Sequence, residues 1–174
     1  MIQNQMLSPH FSELELTESA TARKYGIDNR PTPEVGANLR TLCEQTLEPL
    51  REALGLPVVI TSGYRRKELN DIISHHSNRS QLLKGQAADF YVGSLAEPGV
   101  SSSKFQVSSA RARLVNAFKL IITCPEIDFD QLILYPNFIH VSYAEPRLNR
   151  HYIMTAEGNG KYNRLTHEEA LAIA

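Results

Sequence analysis

Six histidines stand out in a chain with only two cysteines: His10, His75, His76, His140, His151 and His167. Imidazoles and carboxylates can build a metal site without any cysteine cluster. Three segments carry further residues able to do chemistry. Thr61-Ser62-Gly63-Tyr64-Arg65 sets a guanidinium just past a short apolar run. Ser80-Gln81-Leu82-Leu83-Lys84-Gly85-Gln86-Ala87-Ala88-Asp89-Phe90 sets a carboxylate inside another. Phe129-Asp130-Gln131-Leu132-Ile133 is followed by Phe138-Ile139-His140-Val141-Ser142-Tyr143. Arg65, Asp89 and His140 are the candidates for metal or ligand contact. Each also has a plain structural role open to it. Asp89 suits a strand end satisfied by backbone amides, His140 a hydrogen-bonded core position, and Arg65 a cap or a partner for Glu68 or Asp89. Tyr64 reads as packing, His10 as a residue that orders the N-terminal turn, and His151 and His167 as surface or capping residues.

These residues must be held by one domain. At 174 residues the chain is long enough to bury about 70% of the surface its unfolded form exposes. No disulfide or metal is needed merely to hold such a fold. The net charge is −1, with 42% hydrophobic and 21% charged residues. That balance argues against a nucleic-acid binder and against an acidic disordered chain. No apolar run is long enough for a membrane span. Met1 to Met6 lacks the basic and apolar regions of a signal peptide, so a cytoplasmic or phage-released protein is expected. Cys43 and Cys124 have no metal-like spacing and fall in apolar helix patterns, as buried thiols would.

The elements follow from periodicity and punctuation. Ser12-Glu13-Leu14-Glu15 has the form of a capping box, as does Thr166-His167-Glu168-Glu169. Ser19 caps a short helix ending at Gly26. Thr32 with Pro33 opens a long helix running to about Leu54, with a kink expected at Pro49 and Gly55 just past the end. Strands are predicted over 57–61 and 86–92, with a short helix over 65–73 between them. Residues 75–84 read as polar and turn-rich, 93–107 as a loop around Ser101-Ser102-Ser103, and Ser109 to Thr123 as a helix stopped by Pro125. Two strands, 131–135 and 138–143, flank Pro136-Asn137, a link of hairpin length but with a proline unusual for such turns. In the second, Phe138, His140 and Ser142 share a face. A further strand is predicted over 150–155. Helices on one side of a small, mostly antiparallel sheet give the α+β class.

The three chemical segments, in this order and wording, resemble the zinc D-Ala-D-Ala carboxypeptidase family, whose fold is shared with the hedgehog signalling domain. His10 to Glu15 and the helix carrying Asn38-Leu39 and Leu47-Glu48-Pro49-Leu50-Arg51 look like its phage and prophage branch. The resemblance covers roughly residues 8–145 of a single domain over 1–174, with 146–174 as a C-terminal extension. It implies zinc held by a His and an Asp of the pattern S-x-H-x(6)-D and by a His on a later strand. A Glu shortly before that last His acts as general base, and an Arg of the S-G-Y-R motif binds or polarises the substrate. Carried over, Asp89 and His140 match two ligands and Arg65 the substrate Arg. The first His falls on Leu82, which cannot bind a metal, and the Glu falls near Tyr135.

Two absent groups at the chemical positions imply a degenerate member, inactive or strongly impaired, with zinc weak or absent. Losing ligand and base removes nucleophile generation and Lewis acid together. An active metallopeptidase is the alternative, with His75 or His76 as replacement ligand and Glu126, Asp128 or Asp130 as surrogate base. A third possibility is a non-catalytic peptide-binding or phage assembly protein. The partner is expected to be a peptidoglycan stem peptide or another peptide carboxy-terminus, with no nucleic acid and no membrane.

Overall fold

Apolar alternation on one side and helix caps on the other divide the chain into a sheet and a helical layer. A computed structural model describes residues 5–73, 80–94, 109–157 and 160–174. The elements are α1 (Glu13–Thr17), α2 (Ala20–Tyr25), α3 (Pro33–Leu42), α4 (Glu48–Leu54), β1 (Val58–Ser62), α5 (Lys67–Ile73), β2 (Ala87–Val92), α6 (Ala110–Thr123), β3 (Gln131–Leu134), β4 (Ile139–Ser142), β5 (Tyr152–Ala156), β6 (Tyr162–Arg164) and α7 (His167–Leu171). The six strands form one sheet in the order β1-β2-β4-β3-β5-β6. Among the described residues, only β3 and β5 pair in parallel; the other four pairings are antiparallel. The α+β class therefore holds. Strands β5 and β6 belong to the stretch after residue 145, so the C-terminal extension completes the same sheet.

One sheet face is the core. Ala88, Phe90, Leu132, Leu134, Ile139, Val141 and Ile153 are buried there with Leu39, Leu47, Leu50, Leu114 and Phe118 of the helices. Both capping boxes form as expected, Ser12 with Glu15 and Thr166 with Glu169. No described helix is long and apolar enough to cross a membrane.

The long helix opened by Pro33 does not bend simply at Pro49, as the sequence suggested. A π-turn over Cys43–Leu47 separates α3 from α4. Proline has no amide to give to the carbonyl four residues back, and its ring crowds that carbonyl. Here that carbonyl belongs to Gln45, and the Asp128 amide fills the vacancy at 3.2 Å. The Thr46 hydroxyl adds a 2.6 Å bond to the Asp128 carbonyl. The widened turn thus docks the loop that leads into β3.

One strand is added and one expectation is corrected. Residues 162–164 form an edge strand, which three residues of weak alternation did not announce. Cys124 is the C-cap of α6 and half-buried, not buried; its thiol lies 3.0 Å from the Glu126 carboxylate. Cys43 is buried, and burial pushes its thiol up to about 12. Pro136-Asn137 does close the β3–β4 hairpin, with the Tyr135 amide donating to the Phe138 carbonyl at 3.0 Å. Proline sits there without loss, because a turn's first inner position needs a fixed φ and no amide. The Ser101-Ser102-Ser103 loop lies outside the described residues.

Candidate active site

The sheet register brings the chemical residues together on the face opposite the core. Ser62 of β1 pairs with Asp89 of β2, and Asp89 with His140 of β4. The same row continues through Ile133, Met154 and Arg164. Directly paired residues point to the same face. Asp89 Oδ1 and His140 Nδ1 stand 2.7 Å apart. The Arg65 guanidinium reaches to 3.6 Å from Asp89 Oδ2, an ion pair without the reach of a hydrogen bond. The side chains of Arg65, Asp89 and His140 are 13–14% exposed. The three groups thus lie side by side, each keeping a little of its side chain open to solvent.

Arg65 is held by its backbone. The Tyr64 amide donates to the Leu16 carbonyl at 2.7 Å, and the Arg65 amide to the Leu82 carbonyl at 3.2 Å. Asn29 bridges the next turn, donating to the Tyr64 carbonyl at 3.0 Å and accepting from the Arg66 amide at 2.8 Å. Gly63 permits this approach to α1: a Cβ there would stand 2.2 Å from the Leu16 carbonyl oxygen. Arg65 Nε donates to the Ser62 hydroxyl at 2.9 Å. That bond uses one of five guanidinium donors, whose fork matches a carboxylate.

Leu82 lies in a 3-10 turn, Gln81–Lys84, capped by Ser80 and closed by Gly85 in the left-handed region at φ 67°. Its side chain is buried. Gly85 packs against α3, where a Cβ would meet the Val35 carbonyl oxygen at 2.8 Å. Tyr135 follows β3 and stays on the face of Ile133 and His140. Its ring stacks on Phe138, with centroids 4.2 Å apart and planes 11° from parallel. Its hydroxyl stands 3.1 Å from that of Tyr162. Burial first, then the Tyr162 hydroxyl and the charges of Tyr162 and Asp89, push the Tyr135 phenol well up.

A family model described as Peptidase M15 matches residues 9–118, more than half of the chain. The chain belongs to the peptidase M15 family. None of the curated proteins matches it. Zinc dependence is general in peptidase M15, and membership supports a peptidase-type function in general for this chain. Among the described residues, no three His, Cys, Asp or Glu side chains gather as a metal site would need. His75 and His76 lie outside the described residues.

The acids near the β3 entrance are engaged elsewhere. Asp130 is buried and receives Arg150 through Nε at 2.8 Å, Nη2 at 2.6 Å and the backbone amide at 2.8 Å. Burial raises its carboxyl, but these bonds and one from Gln81 outweigh that and hold it below the ordinary value. Asp128 takes Asn149 Nδ2 at 2.8 Å and His151 Nε2 at 2.8 Å. His10 binds Glu48 on α4 through both its ring and its amide, ordering the N-terminal turn. His167 opens α7. Tyr162, a site-face residue, was missed in the sequence; its alternation with Arg164 about one polar residue was the only signal.

Proposed function

We propose that this peptidase M15 domain binds the carboxy-terminal carboxylate of a peptidoglycan stem peptide ending in D-Ala, through Arg65, and hydrolyses it slowly or not at all. One observation carries the reading: Asp89 is engaged by His140 at 2.7 Å and faced by the Arg65 cation at 3.6 Å. A catalytic zinc takes three protein ligands and an open position. Asp89 and His140 supply two, and the place of a third by resemblance is Leu82, an apolar side chain. The donor set of the described residues therefore does not fit a catalytic zinc. The position of the family's base holds Tyr135, whose phenol is pushed up and stays protonated, so it does not serve as a base. A site with a cation and a neutral donor suits holding a carboxylate better than activating water. His10 to Glu15 and the Asn38 to Arg51 helix support a phage or prophage branch, and hence a protein that acts in the cytoplasm or after release by a phage.

Elemental analysis of protein purified without chelator tests this. Well under one zinc per chain is expected, together with binding of a D-Ala-terminated peptide and no appreciable D-Ala release. Stoichiometric zinc with turnover would overturn the reading in favour of an active site completed by His75 or His76.

A further inference from the structure

Strand β6 lies beyond the residues matched by the family model, yet it reaches the site. Tyr162 pairs with Ala156 on β5, which puts its ring on the face of Met154, Ile133 and His140. Its ring stands at 89° to that of Tyr135, with centroids 6.4 Å apart. Tyr135 itself lies two residues beyond Ile133, about 7 Å along the strand from the Asp89–His140 row. A phenol carries one O–H and also accepts. The Tyr135–Tyr162 bond uses one of the two protons, so the pair has one O–H left to donate. Tyr162 is 53% exposed, which leaves the pair accessible from solvent.

We propose that the Tyr135–Tyr162 hydroxyl pair donates a hydrogen bond to a carbonyl or carboxylate oxygen of the bound peptide, making β6 part of the ligand site. This rests on the carboxylate-binding reading of Arg65 given above. The pair lies on the same sheet face as the Asp89–His140 row, and the Asp89 charge acts on the Tyr135 phenol, so a peptide whose carboxylate meets Arg65 and whose backbone crosses that row toward β3 would run over the pair. Because the Tyr135 phenol is pushed up by burial and by its neighbours, the donor keeps its proton throughout the neutral range. The aromatic stack of Tyr135 on Phe138 fixes the direction of the donor, which limits the entropy lost on binding.

Calorimetric titration with an N-acetylated peptide ending in D-Ala-D-Ala separates the two ideas. The double variant Tyr135→Phe/Tyr162→Phe keeps both rings and removes both oxygens. It should bind about tenfold more weakly than the parent, as expected for loss of a net hydrogen bond. Each single variant should lose less, since the remaining phenol keeps its own proton. Arg65→Gln should weaken binding as well. If Arg65→Gln weakens binding and the double variant does not, the hydroxyl pair is no part of the site and this inference falls alone. If the parent fails to bind, the carboxylate-binding reading falls and takes this one with it.

Discussion

Two acid–histidine pairs use the same chemistry to opposite ends. Glu48 on α4 accepts from the Ser8 hydroxyl at 2.6 Å, from the His10 amide at 3.1 Å and from the His10 ring. Asp89 meets the His140 ring at 2.7 Å and Arg65 at 3.6 Å. The first pair joins residues thirty-eight positions apart and clamps the N-terminal segment onto a helix. Its histidine is 47% exposed, while the acid is buried. The second pair joins neighbouring strands in register, and both members are partly exposed. A carboxylate that takes several protein donors is an anchor. A carboxylate held by one imidazole and approached loosely by a cation has capacity left for a ligand. What distinguishes structure from site is therefore the saturation of the acid rather than the residue types.

The largest test of that contrast changes the neighbours of the site pair. Leu82→His with Tyr135→Glu restores, by resemblance, a ligand and a base beside Asp89 and His140. The double variant should take up near-stoichiometric zinc and raise D-Ala release by at least about a hundredfold, the usual lower scale for a general base. Leu82→His alone should gain zinc without full turnover. Full turnover from the single change would mean that the base lies elsewhere than Tyr135. Zinc uptake without any activity in the double variant would mean that Tyr135 does not occupy the position of the base.

Next in size is stability. Glu48→Gln replaces an acceptor of charged-group hydrogen bonds with an amide that faces the Ser8 and His10 donors. It should cost about 2 kcal/mol, on the scale of such bonds. Asp89→Asn keeps an oxygen for the His140 ring and should cost about 1 kcal/mol or less. Urea unfolding of both variants checks the order. A larger loss at Asp89 than at Glu48 would reverse the assignment of anchor and site.

Much of the site pair was legible in the sequence, and half of the anchor pair: His10 reads as a residue that orders the N-terminal turn, but its partner does not show. Arg65, Asp89 and His140 sit in segments whose order and spacing mark them, and alternation put His140 on a face with Phe138. The sheet then needed only register to join Asp89 to His140. Glu48 stands in a segment that carries the resemblance, but nothing there marks its role. It reads as an ordinary helix acid beside Pro49, and its partners lie near the N-terminus, at a separation that periodicity cannot see. The π-turn was half legible: Pro49 leaves the Gln45 carbonyl without its helical donor, but only tertiary structure shows that Asp128 supplies one. Strand β6 escaped because three residues at a sheet edge carry too little alternation to stand out. Its pairing with β5 is decided by the neighbour, not by its own propensity.

The smallest effect concerns acid sensitivity of the anchor. Burial raises the Glu48 carboxyl, but the Ser8 and His10 bonds outweigh it and hold the group below its ordinary value of 4.5. A carboxyl with a depressed folded value binds fewer protons folded than unfolded near that range. Its contribution to stability is therefore complete above about 4.5 and lost as pH falls through the folded value. Asp130 behaves likewise, but from an ordinary value of 3.8, so its loss begins at lower pH. Unfolding midpoints measured at a series of pH values should fall below pH 4.5 in the parent and fall less steeply there in Glu48→Gln. The variant should keep a residual decline below about 3.8, carried by Asp130 and its Arg150 partner. Parallel curves for parent and variant through the 4.5 region would mean that the Ser8 and His10 bonds do not favour the charged acid. Glu48 would then be an anchor by shape alone, and saturation by donors would no longer separate it from Asp89.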